Sequence, residues 1–117
     1  MGAYVYTRKD EITYIIDLKQ KVANFVNKRN WEHNPKNLAE AICIEAAELL
    51  EIFQWVSNKQ ALEFCRNTET MKRIKEELAD IQIYLMSLAN RMELDISEAV
   101  EEKMKLNELK YQVKNNA

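Results

Sequence analysis

Glycine and proline are almost missing from this chain: Gly2 and Pro35 are the only ones in 117 residues. Tight β-hairpins need residues that accept positive φ. Their scarcity excludes a sheet built from many hairpins and favours helices joined by short polar loops. Histidine is represented by His33 alone, and the two cysteines, Cys43 and Cys65, lack CxxC spacing. A zinc site of the usual Cys/His kind is thereby excluded. Both thiols lie in apolar patterns and are expected to be packed, in a reducing, cytoplasmic setting. Neither sign of charge dominates: 17 Lys and Arg stand against 19 Asp and Glu, for a formal net charge of −2. That balance speaks against nucleic acid as a partner, since such surfaces carry a basic excess. No window approaches the roughly 20 apolar residues of a membrane span. The opening MGAYVYTRKDE shows no signal-peptide core either, so no membrane is expected as a partner.

What is present is a helical pattern along a single domain, residues 1–117. Apolar residues make up 47% of the chain and charged ones 31%, a balance that suits a folded globular domain. Ile12, Ile15, Ile16, Leu18, Val22, Phe25 and Val26 recur at helical spacing, predicting a first helix from about Asp10 to Arg29. Asn30 to Lys36 read as a loop broken by Pro35. Asn37, with Glu40 three residues on, resembles a capping box opening a second helix that runs to about Val56. Ser57 or Asn58 then caps a short helix through about Cys65. A third long helix covers about Glu69 to Met92. Asp95 and Glu98 open a last one that runs to about Val113, with Lys114 to Ala117 as a fraying tail. Short connections favour antiparallel neighbours. The expected architecture is all-α, a compact four-helix bundle with one short extra helix, completed by a second copy of the chain as a homodimer or homotetramer.

The acidic residues divide into two kinds. On the second helix Leu38, Ala41, Ile42, Leu49, Ile52, Phe53 and Val56 form one apolar arc. Glu45 falls inside it and Glu48 at its edge, whereas Glu40 and Glu51 project from the polar face. On the third long helix Met71, Ile74, Leu78, Ile81, Leu85 and Leu88 form the arc, with Glu77 bordering it and Asp80 beside it. A carboxylate on a core face is costly unless it is paired, protonated or bound to a cation. Acids at i and i+3 share one side of a helix, and two such pairs on antiparallel helices would meet in one cleft. Hard divalent cations with oxygen ligands answer that charge, and magnesium keeps waters free for phosphate oxygens. The pattern alone leaves a second reading open, in which these acids are solvated or make weak surface ion pairs.

Three segments together resemble a known family. They are Pro35-Lys36-Asn37-Leu38, then the run Glu45-Ala46-Ala47-Glu48-Leu49-Leu50-Glu51-Ile52-Phe53-Gln54-Trp55, then Glu76-Glu77-Leu78-Ala79-Asp80 with Tyr84. With Lys103, Asn107, Lys110 and Tyr111 they resemble the MazG-like all-α nucleoside triphosphate pyrophosphohydrolases, in the dCTP pyrophosphatase-like branch. The likeness runs from Trp31 to Tyr111. It departs in a shortened loop, with two residues from Trp31 to His33 where family members often have four, and in Gln112 where many have proline.

The resemblance implies hydrolysis of an NTP or dNTP to the monophosphate and pyrophosphate, with a pyrimidine dNTP such as dCTP as candidate substrate. It implies Mg2+, with Mn2+ as a substitute, held by Glu45, Glu48, Glu77 and Asp80. Glu48, and then Glu45, are the candidates to take a proton from the attacking water. Trp31, Trp55 and Tyr84 would enclose the base, and His33, Lys36, Asn37, Lys103, Asn107 and Lys110 would reach the phosphates. One alternative is the same reaction on dUTP or a modified nucleotide. Another is a non-catalytic helical interaction module. A di-iron carboxylate bundle is disfavoured, because no histidine falls on a predicted helix.

Overall fold

The computed structural model describes residues 8–112, and these form six helices: α1 (Arg8–Ile12), α2 (Ile15–Lys28), α3 (Pro35–Ile52), α4 (Asn58–Phe64), α5 (Thr68–Arg91) and α6 (Ile96–Lys110). No strand occurs among the described residues. The all-α reading is thus observed, with two short helices rather than one. The expected last turn to Val113 and the tail beyond it lie outside the described residues.

Local chemistry explains the boundaries, including those the sequence pattern misplaced. The expected first helix is split at Thr13–Tyr14. Tyr14 is extended, with ψ 152°, and its backbone N–H donates to the Asp17 carboxylate at 3.0 Å, which starts a new helix. The next helix starts at Pro35 and not at Asn37. Proline at the first helical position gives up an N–H that has no partner there in any case. Ser57, Asn67 and Asp95 cap α4, α5 and α6 by accepting backbone N–H groups. With glycine almost absent, two other residues take the left-handed conformation that ends a helix: Asn30 with φ 51° and Glu93 with φ 54°. Both are in Schellman motifs. The Trp31 N–H reaches the Val26 carbonyl (3.3 Å), and the Leu94 N–H reaches that of Ala89 (2.9 Å). The first of these turns the chain so that Trp31 folds back over α2.

The core lies where α5 packs against α3 and, less extensively, against α2. Leu38, Ile52, Met86 and Ala89 are buried there, with Val26 from α2. His33 meets Ser87 and, further along, Glu45 and Glu48 meet Glu77. Residue numbers rise along α3 as they fall along α5, so the two helices are antiparallel. Lys19 and Asn90 tie α2 to the end of α5: the ammonium donates to the Leu94 carbonyl at 2.7 Å, and the Asn90 amide donates to that of Lys19 at 2.9 Å.

The bundle is not closed within one chain. The radius of gyration is 17.4 Å, against about 13 Å for a compact chain of this length. Helix α6 has no buried residue; Asp95, Ile96 and Ser97 at its start face Tyr14, Ile15 and Lys19. Leu50, Leu78 and Leu109 are exposed. Two expectations are corrected here. Cys43 is exposed and not packed, because the apolar surface of α3 is wider than the stripe α5 covers; Cys65 is half-buried as expected. On α5 the inward face is also rotated from the expected arc. Ile74, Glu77, Ile81, Tyr84 and Leu88 turn inward, while Met71, Leu78 and Leu85 are exposed. Helix α5 is apolar on more than one side, so periodicity alone admits both settings.

Candidate active site

Glu45 sits halfway along α3, on the face turned to α5, and is half-buried; Glu48 follows one turn later and is exposed at the rim. Glu77 faces them from α5, half-buried. Each of the three offers a carboxylate oxygen within 4.8 Å of the other two. No Lys or Arg pairs with any of them among the described residues; the one ion pair there, Arg66 with Glu63 at 2.6 Å, is at the surface on α4. One oxygen each of Glu45 and Glu77 is buried with no hydrogen-bond partner. Buried carboxylate oxygens without a donor or counter-charge are costly.

The energetic consequence appears in the proton affinity of Glu45. Its carboxyl is pushed up from 4.5 to about 7. The first cause is the hydrogen bond that its protonated form makes with Glu77; desolvation comes next, followed by the hydrogen bond and charge of Glu48. Three carboxylates in this space thus hold a proton or attract a cation. The donors are all oxygen, hard and anionic, which fits a hard divalent ion. Asp80 is half-buried one turn beyond Glu77 on α5, but is not within the group of three.

A second cluster lies towards the other end of the α3–α5 pair. Trp31 stacks on His33, with ring centres 5.9 Å apart and planes 23° apart, and Phe25 meets the Trp31 ring edge-on at 5.5 Å. His33 is 6.1 Å from Tyr84. The shortened loop therefore still brings Trp31, His33 and Tyr84 together. Tyr84 is four residues past Asp80 on α5, so the aromatic cluster and the acids share one helix face.

The remaining candidates are not drawn in. Trp55 is 89% exposed in the turn after α3. Lys36 and Asn37 are exposed on the first turn of α3. On α6, Lys103 and Lys110 are exposed and Asn107 is half-buried, and none of the three hydrogen-bonds to the acidic cluster. Sequence reasoning missed Ser87, whose hydroxyl lies 2.7 Å from His33 Nδ1. A lone serine in an apolar helix face was the signal that could have found it.

The profile of the MazG-like family matches residues 40–117, which include both acidic pairs. The chain belongs to the MazG-like family. Among its relatives, dCTP pyrophosphatase 1 of Rattus norvegicus is 37% identical over 99 residues, which are 83% of this chain and 58% of the rat protein. That of Homo sapiens is 36% identical over 97 residues, 81% of this chain and 57% of the human protein. The chain thus spans somewhat over half the length of these relatives. A crystal structure of a pyrophosphatase from Archaeoglobus fulgidus DSM 4304 superposes with a TM-score of 0.77 at 37% identity, covering 96% of this chain and all of the archaeal one. That likeness also bears out the all-α, MazG-type architecture.

Proposed function

We propose that this MazG-like protein hydrolyses nucleoside triphosphates to the monophosphate and pyrophosphate, with dCTP as the leading substrate and a divalent cation, Mg2+ or in its place Mn2+, as cofactor. The observation that carries the reading is the pair of buried, partnerless oxygens on Glu45 and Glu77, beside a Glu45 carboxyl held near 7. Such a site is unfavourable as protein alone and is satisfied by a cation whose charge offsets that of the acids. The names of the relatives, dCTP pyrophosphatase and pyrophosphatase, support the substrate class and the bond cut.

Glu45, Glu48 and Glu77 would hold the cation, with Asp80 brought in from the next turn of α5. When bound, it supplies positive charge against the phosphate oxygens and polarises the phosphorus for attack. The protein's own residues do the rest. Glu48, exposed at the rim, takes the proton of the attacking water. With its carboxyl pushed up to about 7, Glu45 would give up its proton more readily when a cation balances its charge. Trp31 and Tyr84 offer aromatic faces to a base, and each base stacked this way contributes about 1–3 kcal/mol. His33, and Lys36 and Asn37 from the first turn of α3, would meet polar atoms of the substrate.

Trp55, Lys103, Asn107 and Lys110 would enter the site from a second copy or through its docking. Val100, Met104, Leu106 and Leu109 leave α6 with exposed apolar side chains, as Ile44 and Leu50 do α3. We therefore take the working form to be a homodimer or a pair of dimers, in a reducing, cytoplasmic setting that suits two free cysteines. No helix among the described residues is long and apolar enough to cross a membrane.

The deciding experiment incubates the protein with each common NTP and dNTP, with Mg2+ or with EDTA, beside Glu48→Ala. Monophosphate and pyrophosphate, formed with Mg2+ only and lost in the variant, are the expected products. Release of inorganic phosphate would refute the proposed bond. No turnover, and no rise in melting temperature with Mg2+, would favour a non-catalytic interaction module.

A further inference from the structure

We propose that Ser87 is a positioning residue for His33: its buried hydroxyl donates to Nδ1 and fixes the imidazole in the tautomer whose Nε2–H is free to meet a substrate oxygen. This rests on the nucleotide-binding reading above and assigns a role within that same site.

Ser87 is 6% exposed on an otherwise apolar stretch of α5. Its Oγ has one protein partner among the described residues, His33 Nδ1 at 2.7 Å, reached across 54 residues of sequence. A buried hydroxyl must place its proton on an acceptor. The unprotonated Nδ1 provides one, and the ring proton then resides on Nε2. Nε2 has no hydrogen-bond partner of its own among the described residues. Both His33 and Ser87 line an open cleft of about 570 Å³ bordered also by Trp31, Asn27 and Asn90. Stacking on Trp31 limits tilt of the ring, and the Ser87 hydroxyl limits its rotation. Together they leave one orientation and one tautomer. A neutral imidazole of this form is a hydrogen-bond donor at the cleft. An acceptor oxygen there can come from a base carbonyl or from a phosphate.

His33 is the chain's only histidine, so its ring nitrogens give unambiguous signals in ¹⁵N NMR. The protein labelled at histidine should show an unprotonated Nδ1 and a protonated Nε2 above the pH at which the ring charges. Adding 2′-deoxycytidine should shift the Nε2–H signal if the base supplies the acceptor; adding pyrophosphate should do so if the phosphate does. In Ser87→Ala the two tautomers should mix, and KM for the nucleotide should rise about fivefold, the worth of one hydrogen bond, with kcat falling less than twofold. Ser87→Thr, which keeps the hydroxyl, should restore the tautomer and KM together. A protonated Nδ1 in the wild-type protein, or a tautomer unchanged in Ser87→Ala, would overturn the assignment. Failure of the nucleotide-binding reading looks different. The tautomer would be as stated, and neither probe would move Nε2–H.

Discussion

The two ends of the α3–α5 pair solve the same problem in opposite ways. Towards one end, polar groups are partnered within the chain: buried Ser87 with His33, and half-buried Asn90 with the Lys19 carbonyl. Towards the other, Glu45 and Glu77 bring buried oxygens together with no hydrogen-bond partner. The satisfied end is what folding alone favours. The unsatisfied end persists because the packing of Leu38, Ile52 and Met86 holds the helices together regardless. The contrast separates a scaffold from a site using polar satisfaction alone.

The sharpest way to break the contrast is at Glu77. Glu77→Ala should lower turnover by on the order of a thousandfold, since loss of metal charge stabilisation amounts to several kcal/mol. In EDTA, by contrast, Glu77→Gln should raise the melting temperature, because it relieves like-charge crowding on Glu45, while abolishing any further rise with Mg2+. A Glu77→Gln protein less stable than the parent in EDTA would count against a strained site. Next in size is the shared packing. Leu38 is 1% exposed between the two ends, and Leu38→Ala should lower stability by about 2–5 kcal/mol in chemical denaturation.

The pH dependence is a subtler measure of the same strain. Below 4.5 Glu45 is protonated whether the chain is folded or not, so its surroundings impose no penalty. Between 4.5 and about 7 the folded protein keeps a proton that the unfolded chain releases, so stability in EDTA should fall as pH rises through this window and level off above it. The rise in melting temperature given by Mg2+ should run the other way, small at the acid end and growing as pH passes about 7. A magnesium effect that is flat with pH would show that Glu45 is not a ligand. Smallest of all is a change far from the acids. Glu93 holds a left-handed φ of 54° at the end of α5. Glu93→Gly should therefore stabilise the fold by about 0.5–1 kcal/mol in chemical denaturation.

Much of this was legible beforehand, for a local reason. Caps are read from one or two residues, so Asp95 and, as one of two candidates, Ser57 match the caps observed. Glu45 inside an apolar arc is a contradiction visible on one helix, and it led to the acidic cluster. The errors came where two local preferences competed. Tyr14 breaks a stretch whose hydrophobic spacing continues unbroken, because the Asp17 carboxylate captures its N–H. Pro35 was read as a stop when its fixed φ also suits a first helical turn.

The amino-acid sequence by itself determined the long helical segments, where α4 and α6 are capped, and that Glu45 and Glu48 share one face, since all of these follow from backbone periodicity and neighbouring side chains. Tertiary structure alone decided that Glu77 and Tyr84, and not Leu78 and Leu85, turn inward. It also decided that His33 finds Ser87 and that α6 leaves its apolar side chains exposed. A helix apolar on more than one side can be rotated without changing its own energy much. Only the shape of the helix packed against it selects the setting, and that choice brings distant side chains together.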